Sequence, residues 1–175
     1  MIYPPGKDSF LLQKYIKLYV KQNSKVLDLG TGSGIQGKEA LKYTKDVISS
    51  DINKECLKAL KLEELKTIHS DLFSKIKGKF DLIMFNPPYL PEDVREDKEG
   101  KVALCGGKEG YEIIFRFLEQ AKSHLKKDGK ILLVFSSLSK KDLIENKMKE
   151  LKYSFEILES EKFFFETIYL YLIQK

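Results

Sequence analysis

Cysteine is scarce: the 175-residue chain has two, Cys56 and Cys105, far apart and outside any C-x-x-C pattern. Histidine is as rare, and His69 and His124 share no metal-ligand spacing with the cysteines. Neither a disulfide framework nor a zinc site is expected, and the compartment expected is the reducing cytoplasm. Long apolar runs are missing too. No stretch approaches the ~20 residues that cross a bilayer. The opening Met1-Ile2-Tyr3-Pro4-Pro5-Gly6 lacks the charged and apolar regions of a signal peptide. A soluble, intracellular protein with no membrane partner is expected. Arginine is nearly absent: only Arg95 and Arg116 occur, so lysine carries almost all of the +5 net charge. With no block of five or six like charges, that mild bias permits an anionic partner without arguing for one, and nucleic acid is not required.

What is present suits one domain over residues 1–175 with a sizeable core, at 42% hydrophobic content. Strand and helix signals alternate, without repeats or linkers. Residues 25–29 (KVLDL) read as a buried strand, 35–44 as a helix with Ile35, Ala40 and Leu41 inward, and 46–51 as a second strand. Asn53 can cap a helix running to about Leu65, with Leu57, Leu60 and Leu65 inward. A short polar strand, 66–70, follows. The next, 80–85 (FDLIMF), is nearly all apolar, as a strand covered on both faces should be. The loop 90–108, with Glu92, Asp93, Glu96, Asp97 and Gly100, has the length of a lid or binding loop. A helix over 109–126 with Ile113, Phe117, Ala121 and Leu125 inward leads to a strand at 130–135. Ser139 with Asp142 resembles a capping box for a helix ending near Leu151. Residues 153–159 and 165–173 read as a terminal hairpin. The alternation predicts an α/β, Rossmann-like fold: seven strands in a mixed sheet flanked by helices, parallel except for an antiparallel C-terminal hairpin strand.

Two motifs carry chemistry. Asp28-Leu29-Gly30-Thr31-Gly32-Ser33-Gly34 ends the first strand and opens the first sheet helix, where glycines let the backbone turn sharply and approach a ligand. Gly32, Gly34 and Gly37 also satisfy G-x-G-x-x-G, with Asp51 nineteen residues beyond Gly32, which admits a nicotinamide reading. Asp28 beside the glycines disfavours a pyrophosphate, and the chain is short for a dinucleotide fold plus a substrate domain. D-x-G-x-G-x-G resembles instead the class I S-adenosylmethionine-dependent methyltransferases, whose ligand carries an ammonium and a sulfonium and no phosphate. The resemblance implies that Asp51 accepts from the ribose hydroxyls and Asp71 meets the adenine amino group, with Ile52 and Leu72 packing near the ring. Taken singly, each acid reads equally as a helix cap or a solvated loop residue.

The second motif is Asn86-Pro87-Pro88-Tyr89, directly after the strand at 80–85. Such dipeptides also occur in ordinary turns. Here the prolines fix φ and remove two N–H groups, leaving the Asn86 side chain and nearby carbonyls as acceptors. Among class I methyltransferases this tetrapeptide resembles the signature of enzymes that methylate a planar NH2 group. Such a nitrogen is a poor nucleophile because its lone pair is delocalised. The Asn86 oxygen and the Pro87 carbonyl could hold both N–H bonds and aim the nitrogen, and Tyr89 would stack on the flat group.

The resemblance implies one of two acceptors, a protein glutamine or a nucleic-acid adenine N6. Tyr3-Pro4-Pro5-Gly6-Lys7-Asp8-Ser9-Phe10-Leu11-Leu12 resembles the Y-x-P-x-x-D-[ST]-F-L-L opening of the eukaryotic and archaeal release-factor glutamine methyltransferases of the HemK group. Gly106-Gly107-Lys108-Glu109-Gly110, with Arg116-Phe117 in the following helix, resembles that family's segment after the loop. The resemblance implies N5-methylation of the glutamine in the Gly-Gly-Gln motif of a class I release factor, and it implies that Ser9 contacts the cofactor. It also implies a small zinc-binding activator docked along the edge strand 66–70, since this chain lacks room for the extra helical domain of the bacterial branch. The plain reading of the opening is a capped amphipathic helix, with Leu11, Leu12, Tyr15 and Ile16 in the core. An adenine-N6 enzyme should instead show a basic face or an added recognition domain, and a non-enzymatic scaffold should have lost the glycines or Asn86. Cys105, with no base near it in sequence, reads as packing rather than a reactive thiol.

Overall fold

The computed structural model describes residues 4–61, 65–91 and 105–175. Seven strands form one sheet in the order β3-β2-β1-β4-β5-β7-β6. They are β1 (Lys25–Leu29), β2 (Asp46–Asp51), β3 (Thr67–His69), β4 (Phe80–Phe85), β5 (Leu125–Ser136), β6 (Ser154–Lys162) and β7 (Thr167–Gln174). β1 to β5 run parallel, and β7 is antiparallel to both β5 and β6. The expected mixed sheet is therefore the one found. The helices are α1 (Lys7–Tyr19), α2 (Ile35–Leu41), α3 (Lys54–Lys61), α4 (Glu112–Ala121) and α5 (Lys141–Glu150).

The sheet is covered on both faces, and β4 shows why its sequence lacks alternation. Ile83 and Phe85 face a core with Phe117 and Leu118 of α4 and Ile144 and Met148 of α5. Leu82 and Met84 face the other core, with Leu11, Leu12 and Ile16 of α1 and Ala40 of α2. Each such side chain contributes about 1.5–3 kcal/mol by burial. The polar exception, Asp81, accepts from the Lys25 N–H at 2.7 Å and from Lys126 Nζ at 2.6 Å. Among the described residues no helix is long and apolar enough to cross a membrane.

Several boundaries differ from the sequence reading. α2 stops at Leu41, which is exposed, because its buried face is Gln36, Gly37 and Ala40. α3 is described to Lys61, with its N–H at Glu55 accepted by Asn53 Oδ1 at 2.9 Å, as a cap should be; residues 62–64 lie outside the described residues. α4 ends at Ala121, and its core stripe is Ile114, Phe117, Leu118 and Ala121, leaving Ile113 half-buried. Leu125 belongs to β5 instead. The chain turns through Lys122–His124, where the His124 ring stacks on Phe73 at 4.6 Å, and Gly129 then lets β5 pass close to the Phe80 carbonyl. Ser139 caps nothing: its hydroxyl donates to the Tyr89 carbonyl at 2.6 Å, and α5 starts after Lys140 in the left-handed region. α1 likewise begins at Gly6 without a side-chain cap, though Leu11, Leu12 and Ile16 are buried as expected. The charged part of the long loop, Glu92 to Gly100, lies outside the described residues.

Candidate active site

A cavity of about 1070 Å3 opens along the carboxyl edge of the parallel strands, where open α/β sheets hold ligands. Asp28, Gly30, Gly32, Asp51, Ile52, Asp71, Leu72, Ser9, Asn86, Pro87 and Tyr89 all line it. Gly34 does not. It starts α2 at φ +79°, and a Cβ there would stand 2.5 Å from Leu60, so its requirement is conformational. At Gly32 (φ +50°) a Cβ would meet nothing within 4 Å, so the backbone there borders open cavity.

Acids hold the glycine loop. Asp28 is 2% exposed, and its Oδ2 accepts from the Thr31 hydroxyl at 2.5 Å and the Gly37 N–H at 2.9 Å. Burial, partly opposed by those two donors, pushes its carboxyl up to about 7. Gly37, part of the alternative nicotinamide pattern, thus serves the carboxylate: a Cβ there would collide with Ser49 Oγ at 2.5 Å. Asp51 Oδ2 accepts from the Gly32 N–H at 2.9 Å and its Oδ1 from the Asn53 N–H at 2.8 Å. Asp71 forms an exposed pair with Arg116 Nη2 at 2.8 Å. Leu72, at φ +45°, is kept in that unusual turn by its carbonyl accepting from Ser70 Oγ at 2.7 Å. Beside them Ile52 presents an apolar side chain that is 55% exposed.

On the other side, three elements converge. Asn86 and Tyr89 follow β4, and Asp8 and Ser9 open α1. Asp8 Oδ2 accepts from Asn86 Nδ2 and from the Tyr89 hydroxyl, each at 3.0 Å, and Asn86 Nδ2 also reaches Ser9 Oγ at 3.2 Å. The Asp8 carboxylate decides the amide orientation, because a flipped Asn86 would set oxygen against oxygen. Asn86 Oδ1 is then left buried with no hydrogen-bond partner among the described residues. Burial and the Asp8 charge push the Tyr89 phenol pKa upward, so it remains a donor. The segment from Gly106 to Gly110 lies flush on this corner: a Cβ at Gly106 would stand 2.7 Å from the Pro88 carbonyl, and one at Gly110 2.6 Å from that of Tyr89.

Two residues had no role assigned from sequence. Asp8 stands in the opening motif, but nothing local says that it reaches a side chain 78 positions away. Gln36 is buried at the cavity wall, where its Nε2 donates to the Ser9 carbonyl at 2.8 Å and its Oε1 has no partner among the described residues. It sits on a helix face otherwise read as apolar. The cavity wall as a whole carries Asp8, Asp28, Asp51, Glu55 and Asp71 against Lys54 and Arg116. In a chain of net charge +5 this acidic excess favours a cationic ligand over a phosphate-bearing one.

A seven-stranded sheet with β7 reversed, a glycine loop after β1 and acids at successive strand ends defines the class I methyltransferase fold. The sequence matches the methyltransferase small domain family over residues 8–165, and the chain belongs to that family. A Methanocaldococcus jannaschii protein, provisionally named a protein N5-glutamine methyltransferase, is 38% identical over 95% of this chain and 88% of its own length. The release factor glutamine methyltransferase of Borreliella burgdorferi is 40% identical over 74% of the chain, which spans 51% of that longer protein. Among solved structures, the E. cuniculi Mtq2-Trm112 complex, which methylates the termination factor eRF1, has a chain superposing with a TM-score of 0.82. That chain is 27% identical, with 99% of this chain and 98% of that one covered.

Proposed function

We propose that this chain, as one methyltransferase domain over residues 1–175, methylates the N5 nitrogen of a protein glutamine. The substrate we assign is the Gly-Gly-Gln glutamine of a class I release factor, a cytoplasmic protein. The observation that carries this reading is Asn86 Oδ1: a buried acceptor with no partner among the described residues, at a rigid Pro-Pro corner, oriented by Asp8. A buried acceptor left unmade costs about 1–3 kcal/mol, and the N–H of a primary amide satisfies it.

The methyl donor assigned is S-adenosylmethionine, which supplies an electrophilic methyl on a cationic sulfur. The residues present fit it. Asp28 and the acidic wall suit its charge, Asp51 offers carboxylate oxygens to ribose hydroxyls, and Gly30 and Gly32 allow the backbone to approach. Ile52 and Leu72 flank the place of a flat ring whose amino group Asp71 would meet, with Ser9 near the amino-acid end. On the acceptor side, Asn86 Oδ1 and the Pro87 carbonyl take the two amide N–H bonds. With the donor bound, they would hold the nitrogen toward its methyl group and would stabilise the positive charge that grows on it. Tyr89, clamped by Asp8 and Ser139, holds the amide plane.

β3, at the edge of the sheet and only three residues long, pairs with β2 alone. An unpaired edge is a template for strand addition. We assign residues 66–70 as the docking edge for a small activator protein, zinc-binding in the family expectation; that the E. cuniculi neighbour is a complex of Mtq2 with Trm112 supports a partner protein here. A chain that purifies stable and fully active alone would refute this part.

The test is methyl transfer from labelled S-adenosylmethionine to a class I release factor, its Gly-Gly-Ala variant, bulk RNA and bulk DNA, with activator present. Label on the intact factor and none on the variant is expected. Label on nucleic acid alone would reassign the acceptor to adenine N6.

A further inference from the structure

The β6–β7 turn carries two adjacent aromatic side chains standing in water: Phe164 is 100% exposed and Phe165 92%. Two large apolar groups side by side on a surface mark a place where something docks. The turn beneath them is braced. Phe163 N–H donates to the Glu166 carbonyl at 2.8 Å, the Ser136 hydroxyl to Glu166 Oε2 at 2.5 Å, and the Thr167 N–H to Ser137 Oγ at 3.0 Å. Lys7 Nζ lies 4.6 Å from the centre of the Phe163 ring.

Those braces also locate the pair. Ser136 ends β5 and faces Ile168 of β7, so the turn projects beyond the carboxyl edge of the parallel strands, the edge on which Asn86 follows β4. Lys7 precedes Asp8 in α1, and Ser139, three residues after Ser136, holds the Tyr89 carbonyl. The aromatic tip is thus tied on two sides to the residues that grip the acceptor amide. It lies on the β5–β7 side of Asn86, away from the glycine loop and the acids after β1 to β3.

We propose that Phe164 and Phe165 are a docking grip for the folded protein substrate, seating in an apolar hollow on its surface beside the target glutamine. This rests on the glutamine reading above. A small free amine would need no contact two strands from Asn86, whereas a side chain on a folded protein arrives with a surface around it. The backbone that carries the pair is braced and loses little freedom when covered, and aromatic anchors dominate protein interfaces. An activator on β3 sits at the opposite edge of the sheet from β6 and leaves the tip free. The tip reads Glu161-Lys162-Phe163-Phe164-Phe165-Glu166, with Lys7 beside Phe163; two acids against two lysines make no basic patch of the kind that draws a protein to an anionic lipid surface.

The test is F164S/F165S, with F164L/F165L beside it, assayed on the intact release factor with activator present. For the serine pair KM should rise about tenfold or more, with kcat and the Kd for S-adenosylhomocysteine within about twofold of wild type. The leucine pair should stay near wild type. Unchanged KM in the serine pair overturns the proposal, as does a loss of S-adenosylhomocysteine affinity, which would mean a structural role. Wild type that pellets with phosphatidylserine vesicles, a serine pair that does not, and equal KM values would give the tip to lipid and also overturn it. If wild type transfers nothing to the factor, the glutamine reading falls and the grip with it; if wild type transfers and the serine pair matches it, only the grip falls.

Discussion

The two halves of the cavity are built differently. On the β1–β2 side, the carboxylates meet donors no more than nineteen residues away: Asp28 takes the Thr31 hydroxyl and the Gly37 N–H, and Asp51 the N–H groups of Gly32 and Asn53. On the β4 side, the partners come from the far end of the chain: Asp8 with Asn86 and Tyr89, and Ser139 with Tyr89. The first half is complete once β1 and β2 have paired, whereas the second exists only once α1, β4 and the end of β5 have packed. The first suits binding a ligand of fixed shape. The second suits orienting one nitrogen, because a shift in any of three elements moves the amide.

If the division is real, variants should separate cleanly into turnover and binding. Asn86→Ala removes the unpartnered acceptor and should cost about a thousandfold in kcat, with S-adenosylhomocysteine affinity nearly intact by calorimetry; a variant with normal turnover would end the assignment. Asp8→Ala leaves Asn86 free to rotate and should lower kcat about a hundredfold. A change confined to cofactor Kd would instead place Asp8 on the other side.

The Asp28 carboxyl, at about 7 in the folded protein against 3.8 ordinarily, gives the third prediction. A cationic ligand pairs with its ionised form, so affinity for S-adenosylmethionine should rise about tenfold from pH 6 to 8. Asp28→Asn should flatten that rise, seen by titration at both pH values. The sign reverses for the empty protein. Its folded state holds the proton between pH 3.8 and about 7, so its stability should fall as pH rises through that window. The smallest effect is expected at Arg116→Ala. Its pair with Asp71 is exposed, worth at most about 1 kcal/mol, so cofactor affinity should change less than about fivefold, with kcat unmoved.

The same division explains what could be read in advance. The glycine loop, the strand-end acids and the Asn53 cap were legible because each is a local arrangement with a fixed spacing. The Asn-Pro-Pro-Tyr corner was legible as rigid and acceptor-rich. Leu41 and Ile113 differ from expectation for one reason: helix periodicity tells that a face is buried, and packing selects which face and where the helix stops; Ser139 differs because its hydroxyl meets the distant Tyr89 carbonyl instead of a local N–H. Leu125 shows this most clearly, since the end of α4 was set by Lys122–His124 turning onto Phe73 rather than by any break in the apolar pattern. Gln36 could not be read in advance, because a buried amide at a cavity wall has no sequence mark.

By itself the sequence determined the seven strands, their parallel run and final reversal, and the residue types at the carboxyl edge. Period-two and period-3.6 burial, together with glycine and proline chemistry, act within a few residues. Only the tertiary structure decided that Asp8 fixes the Asn86 amide, that Ser139 serves Tyr89 instead of a helix, and that Phe164 and Phe165 stand uncovered at the β6–β7 turn. Those facts depend on which distant surfaces meet, and no local spacing encodes that.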